Sequence, residues 1–536
     1  MRTRERSLGS ERIRVMSSLP DHLHALLFPR AYPHPVRSVD LIETHISWVL
    51  LTGRFAYKVK RPVRYSFIDL RSAEERRSLC HEEVRLNRRF APELYLDVRA
   101  IRRRHAEAHI GGRGPIIEHA VRMRQFPRAQ QLDVLLQAQH IEPAELALFG
   151  GELARLHASL PVARAGQAWG EPTAQVAVIK HNAVECLRAG AALGDAGTLR
   201  ALQGSLGTWA DAAWPLLAQR FAARRVRECH GDLHAGNIVR HGARLRPFDC
   251  LEFDPSLRWI DVADEVAFLD ADLDARQRPL HAQAFLGGYL MASGDYQACL
   301  LMPVFRAHRA LVRAKVVALT AAARGTTRNA ARAARRSFRS YLECAQRALA
   351  PRRPVLVLMS GLSGSGKTWL AQRLAPPLRA IHLRSDIERK RLAGLAPAAR
   401  SRSALARGMY ARKMTHAVYD RLADCAADTL AGGYVTIIDA TFARPEDRIR
   451  FRALAAALGI NLCIIYCHAQ QTTLERRIVQ RARRGKDPSE ANIEVLHWQK
   501  AHFVPPALHE ASNVLDARKL TPPELVRRIA AVAARN

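Results

Sequence analysis

Two short stretches of the chain hold residue types suited to work on phosphate groups. The first is Gly361-Leu362-Ser363-Gly364-Ser365-Gly366-Lys367-Thr368, which fits the pattern G-x-x-x-x-G-K-[ST]. Gly361, Gly364 and Gly366 let the backbone wrap closely, so that its N–H groups, those of Ser363 and Ser365 among them, face an anion. The apolar run Val355–Met359 precedes the loop, and a predicted helix opens at Trp369. The loop therefore lies at a helix N-terminus, whose positive partial charge favours phosphate. Lys367 is expected on the β- and γ-phosphates and Thr368 on Mg2+. The second stretch is His230-Gly231-Asp232-Leu233-His234-Ala235-Gly236-Asn237, followed by Phe248-Asp249. In H-x-D-x-x-x-x-N the Asp takes the proton of an acceptor hydroxyl, and the Asn and a later Asp bind metal. That assigns the base to Asp232 and metal ligation to Asn237 and Asp249.

The loop at 361–368 needs a partner carboxylate at the end of a neighbouring strand. Asp439, after the apolar run Tyr434–Ile438, is the candidate metal ligand; a turn-capping Asp is the plainer reading. Arg384-Ser385-Asp386 lies between the two, and Asp386 could act as base toward an acceptor hydroxyl. Asp386 could equally cap a short helix, and the two roles are compatible. Arg477, Arg481 and Arg484 share a helix face by i, i+4 and i+7 spacing. Arg477 and Arg481 are candidates to stabilise charge on a phosphoryl group in transit, against the alternative of a solvated basic face.

The elements that must carry these residues fall into two patterns. Residues 354–536 alternate buried runs (Val355–Met359, Tyr434–Ile438, Leu462–Tyr466) with helical stretches, the signature of a parallel α/β sheet. Before residue 350 the pattern differs. Ile46–Leu51 and Phe55–Lys60 flank Thr52-Gly53-Arg54 as a hairpin, a helix is expected over about 73–90, and Ala120–Gln125 is a further strand. Beyond 130 nearly everything reads helical, down to an Arg-rich tract over 306–350 that Pro351 and Pro354 should end. The domain boundary is placed at 350.

Residues 354–520 resemble the small P-loop kinases that phosphorylate metabolite hydroxyls or polynucleotide 5′ ends, the shikimate, gluconate and polynucleotide kinase-like group. The wording HGDLHAGN resembles the aminoglycoside phosphotransferase and choline kinase-like family. Together with SWVLLTGRFAYKVKRPV, LNRRFAPELYL and VRMRQFP, the chain resembles bacterial two-domain proteins labelled bifunctional aminoglycoside phosphotransferase/ATP-binding protein. The resemblance implies a strand lysine on phosphate paired to a helix glutamate. Lys58 is favoured over Lys60, and the partner is Glu83 or its neighbour Glu82. It also implies an adenine-binding hinge at Met123–Phe126, and a brace for the catalytic loop at Asp261. No G-x-G-x-x-G precedes Lys58; Gly53 is a lone hairpin glycine.

The resulting expectation is an α+β bilobal protein-kinase-like domain over 1–350, followed by an α/β P-loop NTPase domain with a parallel sheet over 351–536. Each would use ATP and Mg2+ and act on a small hydroxyl-bearing substrate. The alternatives are a polynucleotide 5′-hydroxyl kinase in the second half, or one half serving as a nucleotide sensor. Composition sets the frame. The 536 residues carry 83 Lys and Arg against 50 acids, a net +33, which attracts polyanions. Because the charge is spread along the chain, nucleic acid is the less favoured partner. Residues 249–274 form an acidic island of nine carboxylates with Arg258 the one basic residue, a solvated face or a wall for a cationic substrate. No apolar run is long enough for a membrane helix. The nine cysteines include no Cys-x-x-Cys pair, so a reducing cytoplasm is expected.

Overall fold

In the computed structural model the described residues are 19–534 apart from 66–67, 105–106, 195, 324–326, 397–398, 400–411, 485–486 and 511–512. Contacts divide the chain into two compact units, Met1–Gln130 with Arg246–Pro255, and Gln131–Leu245 with Ser256–Asn536.

The first unit is built on an antiparallel sheet of β1 (Asp40–Glu43), β2 (Ser47–Leu51), β3 (Phe55–Lys60), β6 (Tyr95–Arg104), β7 (Glu107–Ile110) and β8 (Ile116–Arg124), in the order β1-β2-β3-β8-β6-β7. A small ladder of β4 (Arg64–Tyr65) and β5 (Ile68–Asp69) lies outside it. The hairpin predicted around Gly53 is present, with Gly53 at φ 88°. Strand β3 is buried along its whole length. Alternation along the pleat sends Phe55, Tyr57 and Val59 into an apolar core with Trp48 and Leu50. It sends Lys58 and Lys60 to the opposite face. Helix α1 (Ala73–Asn87) starts at Ser72, whose side chain accepts from the Glu75 N–H, and it buries Glu83 and Asn87.

The second unit begins with α2 (Leu132–Gln137), α3 (Pro143–Ser159), α4 (Pro172–Gly190) and α5 (Ala196–Ala222). Strand β9 (Val226–Glu228) leads into the loop that carries Asp232. The segments β10 (Ile238–His241) and β11 (Arg244–Pro247) follow it, and β12 (Trp259–Asp261) pairs back on β9. Then come α6 (Val262–Ala275), α7 (Pro279–Ser293), α8 (Ala298–Ala323) and α9 (Arg328–Leu349). The predicted helical tract over 306–350 is thus two helices, and the second ends at Leu349, with Ala350 as its C-cap directly before Pro351.

The remainder is a parallel sheet in the order β14-β15-β13-β16-β17, from β13 (Val355–Ser360), β14 (Ile381–Arg384), β15 (Thr436–Asp439), β16 (Asn461–Tyr466) and β17 (Asn513–Asp516). Its helices are α10 (Lys367–Leu378), α11 (Ser385–Leu392), α12 (Arg412–Ala431), α13 (Pro445–Ala457), α14 (Gln471–Arg484), α15 (Ile493–His502) and α16 (Pro522–Ala534). The central strand β13 is wholly buried. Val355, Val357 and Met359 pack with Leu370, Leu374 and Ile529, while Leu356 and Leu358 join a core that holds Val418, Leu422 and Phe451. That second core continues without interruption into Phe285, Tyr289, Phe305 and Phe338 of α7, α8 and α9. Tyr296 donates to Glu388 at 3.3 Å, and Arg391 and Arg421 each donate at 2.6 Å to carbonyls at the end of α7, that of Met291 in its last turn and that of Gly294 just after it. No described helix is long and apolar enough to cross a membrane.

Candidate active sites

At 361–368 the loop leaves the buried end of β13 and enters α10. Gly361 and Gly364 have φ of 148° and 83°, a region that favours glycine. A Cβ on Gly361 would stand 2.0 Å from the Cys467 carbonyl oxygen, and one on Gly364 2.7 Å from that of Leu474. The Lys367 ammonium donates to the Gly361 and Leu362 carbonyls at 2.7 and 2.9 Å. Burial lowers its pKa, with Asp439 opposing. The Thr368 hydroxyl donates to Asp439 Oδ2 at 2.6 Å. His382 Nε2 lies 3.4 Å from the same oxygen and Arg384 Nε 4.0 Å. Burial works to raise the Asp439 pKa, but His382, Lys367 and Arg384 outweigh it and hold it at about 2. Two hard oxygen donors side by side, one of them a fixed anion, suit Mg2+.

A cavity of about 410 Å³ opens over this loop and is lined by Lys367, Thr368, Asp386, Asp439, Arg477 and Arg481, among others. Asp386 sits in the first turn of α11. Arg477 donates to the Gly364 carbonyl at 3.1 Å and Arg481 to that of Ala491 at 2.9 Å. Sequence reasoning missed His382 and Gln499. The Gln499 side-chain Oε1 accepts from the Ser363 N–H at 2.9 Å, so it sits on one of the amides of the cradle. His382 was legible as an alternate residue before Arg384; Gln499, 136 positions from Ser363, left no local signal.

In the first unit Glu83, fully buried, lies between both lysines of β3. Lys58 Nζ reaches Glu83 Oε1 at 2.9 Å and Asp249 Oδ1 at 2.5 Å. Lys60 Nζ reaches Glu83 Oε2 at 2.5 Å and also pairs with Glu252. Glu82 instead pairs with Arg85 at 2.7 Å. Burial lowers the Lys58 pKa, but Asp249 and Glu83 outweigh it and raise it well above the usual lysine value. Asp249 has a left-handed backbone, φ 64°, and its N–H donates to the Tyr95 hydroxyl at 3.0 Å. At the expected hinge, the Gln125 side chain accepts from the Gly53 N–H at 2.7 Å.

In the second unit Asn237 Nδ2 donates to Asp232 Oδ2 at 2.8 Å, and His234 Nε2 is 3.4 Å from that oxygen. Burial alone would raise the Asp232 pKa; His234 and Arg313 outweigh it and hold it well below the usual carboxylate range. Asp232 is therefore an anion at neutral pH. The brace of this loop differs from the expectation. Asp261 caps α6 through the Ala263 N–H at 2.8 Å and binds Arg220. The loop itself is held by Glu265, which accepts from the His230 and Gly231 N–H groups at 2.8 and 3.0 Å, and by Asp272, which accepts from Ala235 N–H at 2.9 Å. The spacing 265, 272 places both on one face of α6, a signal that was present in the sequence. The acidic island is neither of the things expected of it. Seven of its nine carboxylates are buried, and Asp261, Asp264, Asp270, Asp272 and Asp274 each pair with an arginine.

Comparison with known proteins adds the following. A family model described as "AAA domain" matches residues 356–506. The uncharacterized protein Rv2004c of Mycobacterium tuberculosis is 30% identical over 457 residues, 85% of this chain and 89% of that protein. A putative kinase from Chloroflexus aurantiacus is 22% identical, with a TM-score of 0.28, over 34% of this chain and 99% of its own. The amicoumacin kinase hAmiN, solved with AMP-PNP, Ca2+ and Ami, is 13% identical, with a TM-score of 0.36, over 60% of this chain and 91% of its own.

Proposed function

We propose, on the premise that the chain belongs to the family of the Mycobacterium tuberculosis protein Rv2004c, that it is a bifunctional phosphotransferase that moves the terminal phosphoryl group of ATP to hydroxyls of small polar metabolites. The observation that carries this reading is the meeting of Lys367, Thr368, Asp439 and Asp386 on one cavity of about 410 Å³. In this centre, within residues 351–536, Lys367 exchanges the two loop carbonyls for phosphate oxygens. Thr368 and Asp439 hold Mg2+, which when bound neutralises charge on the phosphates. Asp386 takes the acceptor hydroxyl's proton as that oxygen bonds to phosphorus and the nucleoside diphosphate leaves. Arg477 and Arg481 stabilise the charge spread over the phosphoryl oxygens.

The second centre, within residues 1–350, uses Asp232 as base. Its ionised state and its bond from Asn237 support that role. In the first unit Lys58, oriented by Glu83, would serve the phosphates and Asp249 a metal ion; in the second unit Asn237 would serve a metal ion. Nine buried free thiols suit a reducing compartment and support a cytoplasmic reading.

The test is ATP consumption by the full chain against a panel of metabolite alcohols, with wild type, Asp232→Asn and Lys367→Met compared. Each variant should silence turnover on one set of acceptors and spare the other. Unchanged turnover in both variants would remove the catalytic reading of both centres.

A further inference from the structure

Helix α9 has two unlike faces. Phe338, Tyr341, Leu342, Cys344, Ala345 and Ala348 are buried, largely against α8. Arg328, Arg332, Arg335, Arg336 and Arg339 are all exposed, and at helical pitch they fall within about 100° of arc on the other side. None of the five guanidiniums makes a hydrogen bond or ion pair among the described residues. Arginines nearby behave otherwise. Arg306 and Arg309 pair with aspartates, and Arg347, on the same helix, reaches Asp274 at 3.0 Å.

This arrangement is unfavourable for the protein alone. Arg328 and Arg332, Arg332 and Arg336, and Arg335 and Arg339 are i,i+4 neighbours, a spacing at which like charges weaken a helix. The stripe also begins in the first turn, where no acidic residue stands and where the helix dipole is already positive. A bound polyanion removes both penalties. From Arg328 to Arg339 the helix rises about 16 Å, and over that length one strand of a duplex presents about five phosphates. The planar guanidinium fork matches phosphate oxygens in pairs. A membrane surface fits less well, because amphipathic helices hold a bilayer by inserting an apolar face, and that face of α9 is already buried. We propose that the exposed arginine face of α9 binds the phosphate backbone of double-stranded nucleic acid without sequence preference.

The experiment follows the full chain by fluorescence anisotropy on labelled duplexes of about 20 base pairs, from about 50 to 200 mM salt. The variant Arg332→Gln/Arg335→Gln/Arg336→Gln/Arg339→Gln removes four phosphate contacts. Its log–log salt slope should be shallower by about 3.6, that is about 0.9 per contact, so the wild-type advantage should shrink roughly 150-fold across that salt range. Two unrelated sequences should give the same result, and lysine at the same four positions should keep the wild-type slope. Because the glutamine variant relieves like-charge repulsion, its thermal midpoint should hold or rise, which separates lost binding from lost fold. Equal slopes for wild type and the glutamine variant overturn the proposal. So does a loss seen on phosphatidylglycerol vesicles and not on duplexes.

Discussion

Replacing Arg220 with methionine keeps most of the apolar stem of the side chain and deletes the cation between Asp261 and Asp295. The guanidinium donates to Asp261 at 2.7 and 2.8 Å and to Asp295 at 2.8 and 2.9 Å. Arg220 and Asp261 are fully buried and Asp295 is 4% exposed. Removing one partner from a buried ion pair costs about 3–5 kcal/mol, because the remaining charge stays in a poor solvent. With a urea slope of about 2–3 kcal/mol/M, the midpoint should fall by about 1–2.5 M. The damage should reach catalysis as well. Asp261 caps α6, and α6 carries the Glu265 and Asp272 that hold the backbone at 230, 231 and 235. The pH dependence has a definite sign. Burial would raise Asp295, but Arg220 outweighs it and holds the group below its ordinary 3.8. A depressed carboxylate contributes stability that is present above its unfolded pKa and is lost as pH falls through its folded value. The wild-type advantage over Arg220→Met should therefore be full near neutrality and shrink in acid. Urea titrations of the full chain, followed by far-UV circular dichroism at neutral and mildly acidic pH, measure both effects. A midpoint change of less than about 0.3 M near neutrality, equivalent to under about 1 kcal/mol, or a larger gap in acid than at neutrality, would refute the reasoning.

Three further outcomes are expected. Thr368→Val removes the 2.6 Å bond to Asp439 and one of the two proposed metal ligands, and should lower turnover at the 361–368 centre by about 100-fold or more; the thermal shift on adding Mg2+ and ATP should shrink with it. Burial pushes Glu265 up to about 7, against Arg309 and the loop N–H groups. A raised carboxylate carries stability that is full below its ordinary 4.5 and is lost progressively as pH rises from there through about 7, so Glu265→Gln should flatten that loss between urea midpoints taken near 4.5 and above 7. Burial pushes the thiols of Cys80, Cys186, Cys344, Cys425, Cys463 and Cys467 up to about 12; an aromatic disulfide reagent should find almost none of the nine cysteines until denaturant is added.

What the sequence disclosed follows from distance along the chain. The cradle at 361–368 and the run from His230 to Asn237 are contiguous, so every residue type needed is visible in one glance. The strand β13 and the hairpin β2–β3 read correctly because their apolar periods are long enough to see. Edge strands β14 and β17 are four residues each and were not seen, since so short a run has no measurable period. The alternative between Glu82 and Glu83 was open because neighbouring helix positions differ only by rotation about the axis. Packing decides it, burying Glu83 against both lysines and leaving Glu82 with Arg85. The acidic island misled for a related reason. Its arginine partners Arg220, Arg306 and Arg309 stand far enough away in sequence that the acids look unmatched. The stripe on α9 was likewise diluted by an Arg-rich composition until the helix showed which guanidiniums share a side.

The apolar core that runs from β13 into α7, α8 and α9 has a consequence for how such a gene can be rearranged. Gly432 lies so near Cys299 that a Cβ there would stand 2.4 Å from its carbonyl oxygen, and the end of α7 gives the Met291 and Gly294 carbonyls to Arg391 and Arg421. Severing the polypeptide before Pro351 would leave each fragment with a raw greasy wall and orphaned carbonyls. Laboratory dissection at that point should yield insoluble pieces.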